Sequence, residues 1–497
     1  MHIANSTERK VIHNMNNSYS DAIPVSETYK SWGFHQSVFN ADEARKEERL
    51  DKVLQLPSWF FEILGNVSDE DFLVVVGVRG AGKSALRRNI ALHCESEIGS
   101  SILEGNVLCI TIDHDNPNWV SYAFQSNSFY MAFCSELADR IALGILNRYT
   151  KVELHEKLDN IQLGLLERYI NRLNLRKPEE AKSLLEKTRS KFKSALESEI
   201  FKNTVRIGTA LVGSEIDISK NTSQDTEFIY KQAFDDLDDL ISVSRICGYD
   251  SIYILVDELD EYNETVRKPK KSAELLAPII CSPSLLEKRG LTFKFFLSEP
   301  VYNELISLCE ERETEIRWDR TTHTDPYFLR WSDKDIHEML SKRLRAYSEG
   351  NIKNSMKDCC NEELYNNIDS EIIKYAYCSP RHFIQLCSKL AIHTARVGNK
   401  TSRRITKEVF QTALYEFATR VCKDLYGQKY VNTLIQLGLT RFTAEIAIEK
   451  LSIACDQVDE FIKIMVNSGG ILKLEKIGVT EFIVQDPRVI FLMDSQS

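Results

Sequence analysis

Residues 74–86 read VVVGVRGAGKSAL. The run from Phe72 to Val76 is continuously apolar and rich in β-branched side chains, the composition of a strand buried on both faces in a parallel sheet. It ends at Gly77, and Gly80 and Gly82 follow at spacings that let the backbone bend until successive N–H groups point inward. Lys83 and Ser84 then open a helix, whose N-terminus carries partial positive charge. The pattern G-x-x-x-x-G-K-S predicts a phosphate cradle made of Gly77, Gly80, Ala81, Gly82, Lys83, Ser84 and Ala85. In such a cradle the lysine reaches the β- and γ-phosphates and the serine hydroxyl ligates Mg²⁺. The competing reading is a glycine turn with an incidental lysine. Strand and helix contexts on either side weigh against it.

Hydrolysis of a bound nucleotide needs a second strand that ends in acids. Ser251 to Val256 (SIYILV) is such a run, followed by Asp257-Glu258-Leu259-Asp260-Glu261. Asp257, at the end of the strand, would hold the Mg²⁺ shell, and Glu258 would polarise the attacking water as general base. Asp260 and Glu261 are read as capping the next helix or facing solvent. A third strand, Leu291 to Leu297, leads to Ser298, for which two readings stand. One is a sensor at the tip of a strand lying between the two motif strands; the other is the cap of a helix that starts near Pro300. Runs at Val107 to Asp113 and Tyr327 to Trp331 complete a five-stranded, parallel, doubly wound α/β sheet, whose ligands bind at the carboxyl ends of the strands.

Composition sets outer limits. A chain of 497 residues has room for roughly two to four domains with substantial cores. Its twelve cysteines show no C-x-x-C pair and no zinc-like spacing with histidine, so they read as reduced thiols. The N-terminus MHIANSTERKVIHNMNNSYSD has no apolar core of a signal peptide, and no run is long enough to span a bilayer. These features predict a soluble cytoplasmic protein without membrane contact. A net charge of −10 gives no global attraction to nucleic acid.

Between Asn118 and Ile246 the chain is helical by period, a large insertion in a minimal core. Its charged stretch 176–200 suits an exposed helix, Val205 to Ser219 suggests a short hairpin, and KNTSQDT (220–226) reads as a polar loop. Two readings of the insertion remain open, a partner-contacting arm and a structural helix pair. After the sheet, Ser332 is set to cap a helix with acids in its first turn, and helices run on to Val397. Within them, Ser379-Pro380-Arg381 places a cap, a first-turn proline and an arginine at a helix N-terminus. Helices at 406–424, 441–453 and 457–467, followed by strands Ile471 to Lys476 and Glu481 to Gln485, give a winged-helix order. The third of these helices carries Asp456, Asp459 and Glu460 against Lys463, so phosphates would repel it. The cluster Arg403, Arg404 and Lys407 is read first as the solvated start of a linker helix.

GVRGAGKS, VDELDE, the serine after the third strand, LRWSDKDIHEMLSKRL and CSPRHF, in that order, resemble the AAA+ superfamily. They are especially similar to its branch containing origin-recognition ATPases and STAND-type signal-transducing ATPases. The insertion and FNADEARKEERLDKVLQLPSWFFEIL also resemble P-loop ATPases of bacterial phage-defence islands. The resemblance spans about residues 36–400 and implies a Mg²⁺-dependent ATP hydrolase that works as a homo-oligomer. It implies that Arg381 is the sensor arginine of the lid. It also points to Arg317 or Arg320 as a candidate arginine finger, although both are equally suited to pairing with nearby acids. The expected domains are an N-terminal arm (1–50), an ATPase core (51–330, with the insertion at 118–246), a helical lid (331–400) and a winged-helix-like domain (401–497). The favoured function is an ATP-driven switch acting on a protein effector, which the resemblance implies belongs to bacterial anti-phage defence; a DNA-loading ATPase and a nucleotide-stabilised scaffold are the alternatives.

Overall fold

The computed structural model describes residues 24–40, 46–47, 49–53, 56, 60–67, 72–113, 118–174, 223–311, 326–348, 353–364, 366–397, 403–476 and 479–495. The chain divides into two compact units: Ser58–Arg79 with Leu86–Leu329, and Met1–Pro57 with Gly80–Ala85 and Arg330–Ser497.

The first unit is built on five strands, β1 (Phe72–Gly77), β2 (Val107–Ile112), β3 (Ser251–Val256), β4 (Leu291–Ser298) and β5 (Tyr327–Phe328), in the order β2-β3-β4-β1-β5. Every pairing is parallel. Strands β1 and β3 are buried at all six positions, as continuous apolar runs require when both faces of a sheet are covered. Alternate side chains (Val74 and Val76, Ile110 and Ile112, Ile252 and Ile254, Phe293 and Phe295) belong to one core, shared with helices Phe129–Arg148, Ser223–Ile246 and Pro269–Ile280. Lys294, the one charge inside β4, is buried with its ammonium 4.7 Å from the centre of the Tyr253 ring on the neighbouring strand.

The described helices of the insertion, Asn118–Ser126, Phe129–Arg148, Lys151–Lys157, Asn160–Asn174 and Ser223–Ile246, all supply side chains to this core. The charged stretch 176–200 and the hairpin at 205–219 lie outside the described residues. The polar loop at 220–226 is corrected in part, because Ser223 already begins the helix Ser223–Ile246. Polar residues are common in a first helical turn, and the apolar face that would have signalled it starts only at Phe228. The last strand is shorter than Tyr327 to Trp331: pairing with β1 stops at Phe328, with one further bond from Leu329 N–H to the Val76 carbonyl.

In the second unit the described residues 24–40 of the N-terminal arm are packed against other parts of that unit. Tyr29, Trp32, Phe34, Val38 and Phe39 are buried, the Phe39 ring meets Phe383 edge-on, and the Trp32 indole donates to the Arg403 carbonyl at 2.6 Å. Glu47 accepts from Tyr347 at 2.6 Å and pairs with the buried Arg343. Helix α1 (Asp333–Tyr347) opens on a capping box formed by Ser332 and Asp335, and α2 (Pro380–Val397) carries the longest buried face of this part of the unit.

The C-terminal part is winged-helix-like. Helices α3 (Lys407–Tyr426), α4 (Gln428–Leu437), α5 (Ala444–Leu451), α6 (Cys455–Asn467) and α7 (Pro487–Asp494) surround an antiparallel sheet β6-β8-β7, where β6 is Arg441–Phe442, β7 Ile471–Lys476 and β8 Val479–Val484. The sequence reading did not assign α4 and α7, and its helix at 441–453 is corrected at its start, where Arg441–Phe442 pairs with β8 and the helix begins only at Ala444 after the Thr443 cap. A two-residue strand has no detectable period, and α4 is separated from α3 only by Gly427, whose φ of +82° breaks the helical path. Asp486 and Arg488 at the start of α7 form a fully buried pair. Tyr426 donates to Asp486 at 2.7 Å, and the Arg488 guanidinium lies 2.8 Å from His382 Nδ1.

Candidate functional site

The carboxyl ends of β2, β3, β4 and β1 lie along one edge of the parallel sheet, with Ile112 beside Val256 and Gly77 beside Ser298 in register. Asp257 follows β3 directly instead of ending it, and its N–H donates to the Ile112 carbonyl at 3.0 Å. Asp113 stands at the next strand tip, and its carbonyl accepts from the buried Tyr262 hydroxyl. Both carboxylates are bridged by Arg87, whose Nη1 is 2.8 Å from Asp113 Oδ2 and whose Nε is 3.2 Å from Asp257 Oδ2. The Arg87, Asp113 and Asp257 side chains are 14%, 12% and 3% exposed. Burial works against the Arg87 charge, but the Asp257, Asp113 and Glu258 carboxylates outweigh it and hold the guanidinium above its ordinary range.

Glu258 adopts φ = +60°, a left-handed conformation that L side chains rarely take, and its N–H donates to Asp257 Oδ1 at 2.9 Å. The chain then turns, with Glu261 N–H on the Glu258 carbonyl, and Asp260 Oδ2 accepts the Ser298 hydroxyl at 2.9 Å. Asp260 thus ties the acidic turn to the tip of β4, correcting its reading as a cap or a solvent-facing charge; Glu261 is exposed.

The loop residues Gly80–Ala85 belong to the second unit. Gly80 and Gly82 have φ of +86° and +90°, and Ala81 between them is outside the left-handed region, the alternation that turns successive N–H groups to one side. A Cβ on Gly80 would stand 3.0 Å from Arg381 Cβ and 3.1 Å from Ser379 Oγ, and its φ of +86° would strain any L side chain placed there. The Gly80 carbonyl accepts from the Arg381 N–H at 3.4 Å, and the Ala81 carbonyl accepts from the Trp331 indole at 2.6 Å. Ser84 and Ala85 follow Lys83 in the first turn of the helix Lys83–Cys94. Ser379 Oγ accepts from the His382 N–H, and Pro380 is the first residue of α2. Arg317 and Arg320 lie outside the described residues.

Sequence reasoning missed Arg87, Asp113 and Trp331. Arg87 is one helical turn beyond Lys83, a spacing that could have marked it; Asp113 ends a strand flanking the acidic one. Trp331 had no comparable signal. Arg403 and Arg404 are not a free basic patch: Arg403 donates to the Glu27 carbonyl at 3.1 Å and Arg404 to the Cys360 carbonyl at 3.1 Å, while Lys407 pairs with Glu363.

Asp257 and Asp113 are hard oxygen donors, which suits Mg²⁺ held by one or two carboxylates together with phosphate oxygens. Among the described residues no group of three or more His, Cys, Asp or Glu side chains forms a self-sufficient metal cage, and a nucleotide-bound Mg²⁺ does not require one. Among the described residues no helix is long and apolar enough to cross a membrane.

The chain matches no protein-family model, and no curated protein is similar to it in sequence. What the fold defines is a class: its parallel sheet with helical insertions is compatible with a P-loop, Rossmannoid NTPase-like architecture and with nucleotide binding in general.

Proposed function

We propose that the chain is a Mg²⁺-dependent ATPase that acts as a nucleotide-driven switch. The observation that carries this reading is the strand order. Strand β1, which leads into G-x-x-x-x-G-K-S, and β3, which leads into Asp257 and Glu258, flank β4 with Ser298 at its tip. In this reading Lys83 neutralises the β- and γ-phosphates, and the N–H groups of Gly80 to Ala85 cradle them. Ser84 and Asp257 would hold Mg²⁺, which would supply positive charge to offset that of the phosphates. Glu258 takes the proton of the attacking water, Ser298 orients that water through the Asp260 contact, and Arg381 senses the γ-phosphate. Lid closure on ATP joins copies of the chain, with Arg317 or Arg320 reaching a neighbour's nucleotide, and the assembly engages a protein effector. The likeness to ATPases of phage-defence islands gives the proposed setting.

DNA is the less favoured ligand. The acids of α6 and the engaged Arg403 and Arg404 support that choice.

The test is paired. Lys83→Ala should lose ATP binding in calorimetry, whereas Glu258→Gln should bind ATP, sediment as a larger species with it and hydrolyse it slower by about 10²-fold or more. A folded Lys83→Ala protein with normal ATP affinity would overturn the reading.

A further inference from the structure

We propose that Trp331 is a positioning residue for the phosphate loop, orienting the loop's N–H groups through the Ala81 carbonyl; this rests on the nucleotide-binding reading above. The argument begins with the peptide unit. In a planar trans peptide the C=O and the N–H point in opposite directions, so fixing one fixes the other. The Ala81 carbonyl shares its peptide with the Gly82 N–H, and the Gly80 carbonyl shares its peptide with the Ala81 N–H. Both oxygens are held by donors from residues 331–381. Trp331 donates its indole N–H to Ala81 at 2.6 Å, while the Arg381 N–H and the Ser379 hydroxyl meet the Gly80 carbonyl at 3.4 and 3.5 Å. The N–H groups of Ala81 and Gly82 are therefore turned away from those donors.

The indole bond is the shortest of the three, and Trp331 is only 7% exposed. Its ring also limits where the loop can go, since Cζ2 would lie 3.6 Å from a Cβ placed on Gly82. With φ of +86° and +90°, Gly80 and Gly82 can swing into other conformations at little steric cost. A loop of this composition has no rigidity of its own. Trp331 supplies the constraint from outside, so that phosphate meets donors already aimed and loses less free energy in ordering them.

The experiment uses Trp331→Phe in the full chain, which keeps an aromatic ring and removes the donor. Affinity for ADP and for adenosine is measured by calorimetry, and hydrogen exchange is followed in the peptide covering 77–86. Loss of one hydrogen bond's net worth predicts about tenfold weaker ADP binding, with adenosine binding unchanged. Amide exchange in the loop should be faster in the nucleotide-free variant. Equal loss for ADP and adenosine would mean that Trp331 serves the base or the general fold, and would overturn the proposal. So would unchanged ADP affinity in a variant that folds. Failure of the wild-type chain to bind ADP at all would instead remove the nucleotide reading beneath it. If Trp331→Phe does not fold, Ser379→Ala tests the neighbouring Gly80 carbonyl, with a loss of about threefold expected for ADP and none for adenosine; no such split would count against the proposal.

Discussion

Replacing Arg87 by methionine keeps a long apolar stem and removes the cation between two carboxylates. Asp257 and Asp113 would then stand on adjacent strand tips, 3% and 12% exposed, with their shared counter-charge gone. Removing one partner of a buried ion pair typically costs about 3–5 kcal/mol, because the remaining charge stays desolvated. The triad is not fully dry, with Arg87 14% exposed, so water offsets part of that and about 2–4 kcal/mol is expected. Two further measurements isolate the cause. Adding Asp113→Asn to Arg87→Met should recover at least about 1 kcal/mol, since one uncompensated charge disappears. Mg²⁺ with a non-hydrolysable ATP analogue should stabilise Arg87→Met more than the wild type, since a bound cation replaces the lost one. Denaturant titration followed by hydrogen exchange at the ends of β2 and β3 reads all three. A single variant within about 0.5 kcal/mol of wild type would refute the reasoning and mean that these carboxylates are solvated.

Three other outcomes are expected. Glu258→Gly should raise stability by about 1 kcal/mol, because glycine takes φ = +60° without strain, while abolishing hydrolysis; a lower denaturant midpoint would show that the turn is not strained. Burial, helped by the Arg488 charge, lowers the His382 pKa from 6.5 to about 3. Between those values the unfolded chain takes up a proton that the folded chain refuses, so stability is complete above pH 6.5 and falls on acidification, by up to about 1.4 kcal/mol per pH unit. His382→Asn should flatten that slope, and identical urea midpoints against pH for the two proteins would exclude His382 as its source. Duplex DNA should bind weakly at physiological salt and leave ATP turnover unchanged; a Kd below about 1 μM that weakens steeply with salt, and responds to charge reversal at Arg403 or Arg404, would restore DNA as the ligand.

The sheet was legible because burial on both faces leaves strands with mostly apolar composition, continuous in β1 and broken in β4 only by Thr292, Lys294 and the terminal Ser298. Lys294 hid within such a run at no cost to the reading, its charge set over Tyr253. The acids after β3 were legible as a cluster, but their division of labour was not. Asp260 is turned back to Ser298 by a local bend, and Glu258 is left-handed, and neither follows from residue type. Contacts remote in sequence were the least legible. Arg87 to Asp257 and Trp331 to Ala81 join residues whose meeting depends on tertiary folding, which leaves no periodic trace. The packing of residues 24–40 left no sequence trace for the same reason, since the Phe39 ring meets Phe383 and the Trp32 indole meets the Arg403 carbonyl, each more than three hundred residues away.

The insertion between β2 and β3 has a consequence for how this chain can vary. Those strands are neighbours in the sheet, and helices Phe129–Arg148 and Ser223–Ile246 already bridge them as part of the core. The helix Asn160–Asn174 is fastened back on the second of these, with Tyr169 and Arg168 both on Asp236. A substitution at Asp236 would release Tyr169 and Arg168 together while leaving the β2–β3 ladder in place, so the sequence of the helix Asn160–Asn174 can change separately from that of the sheet.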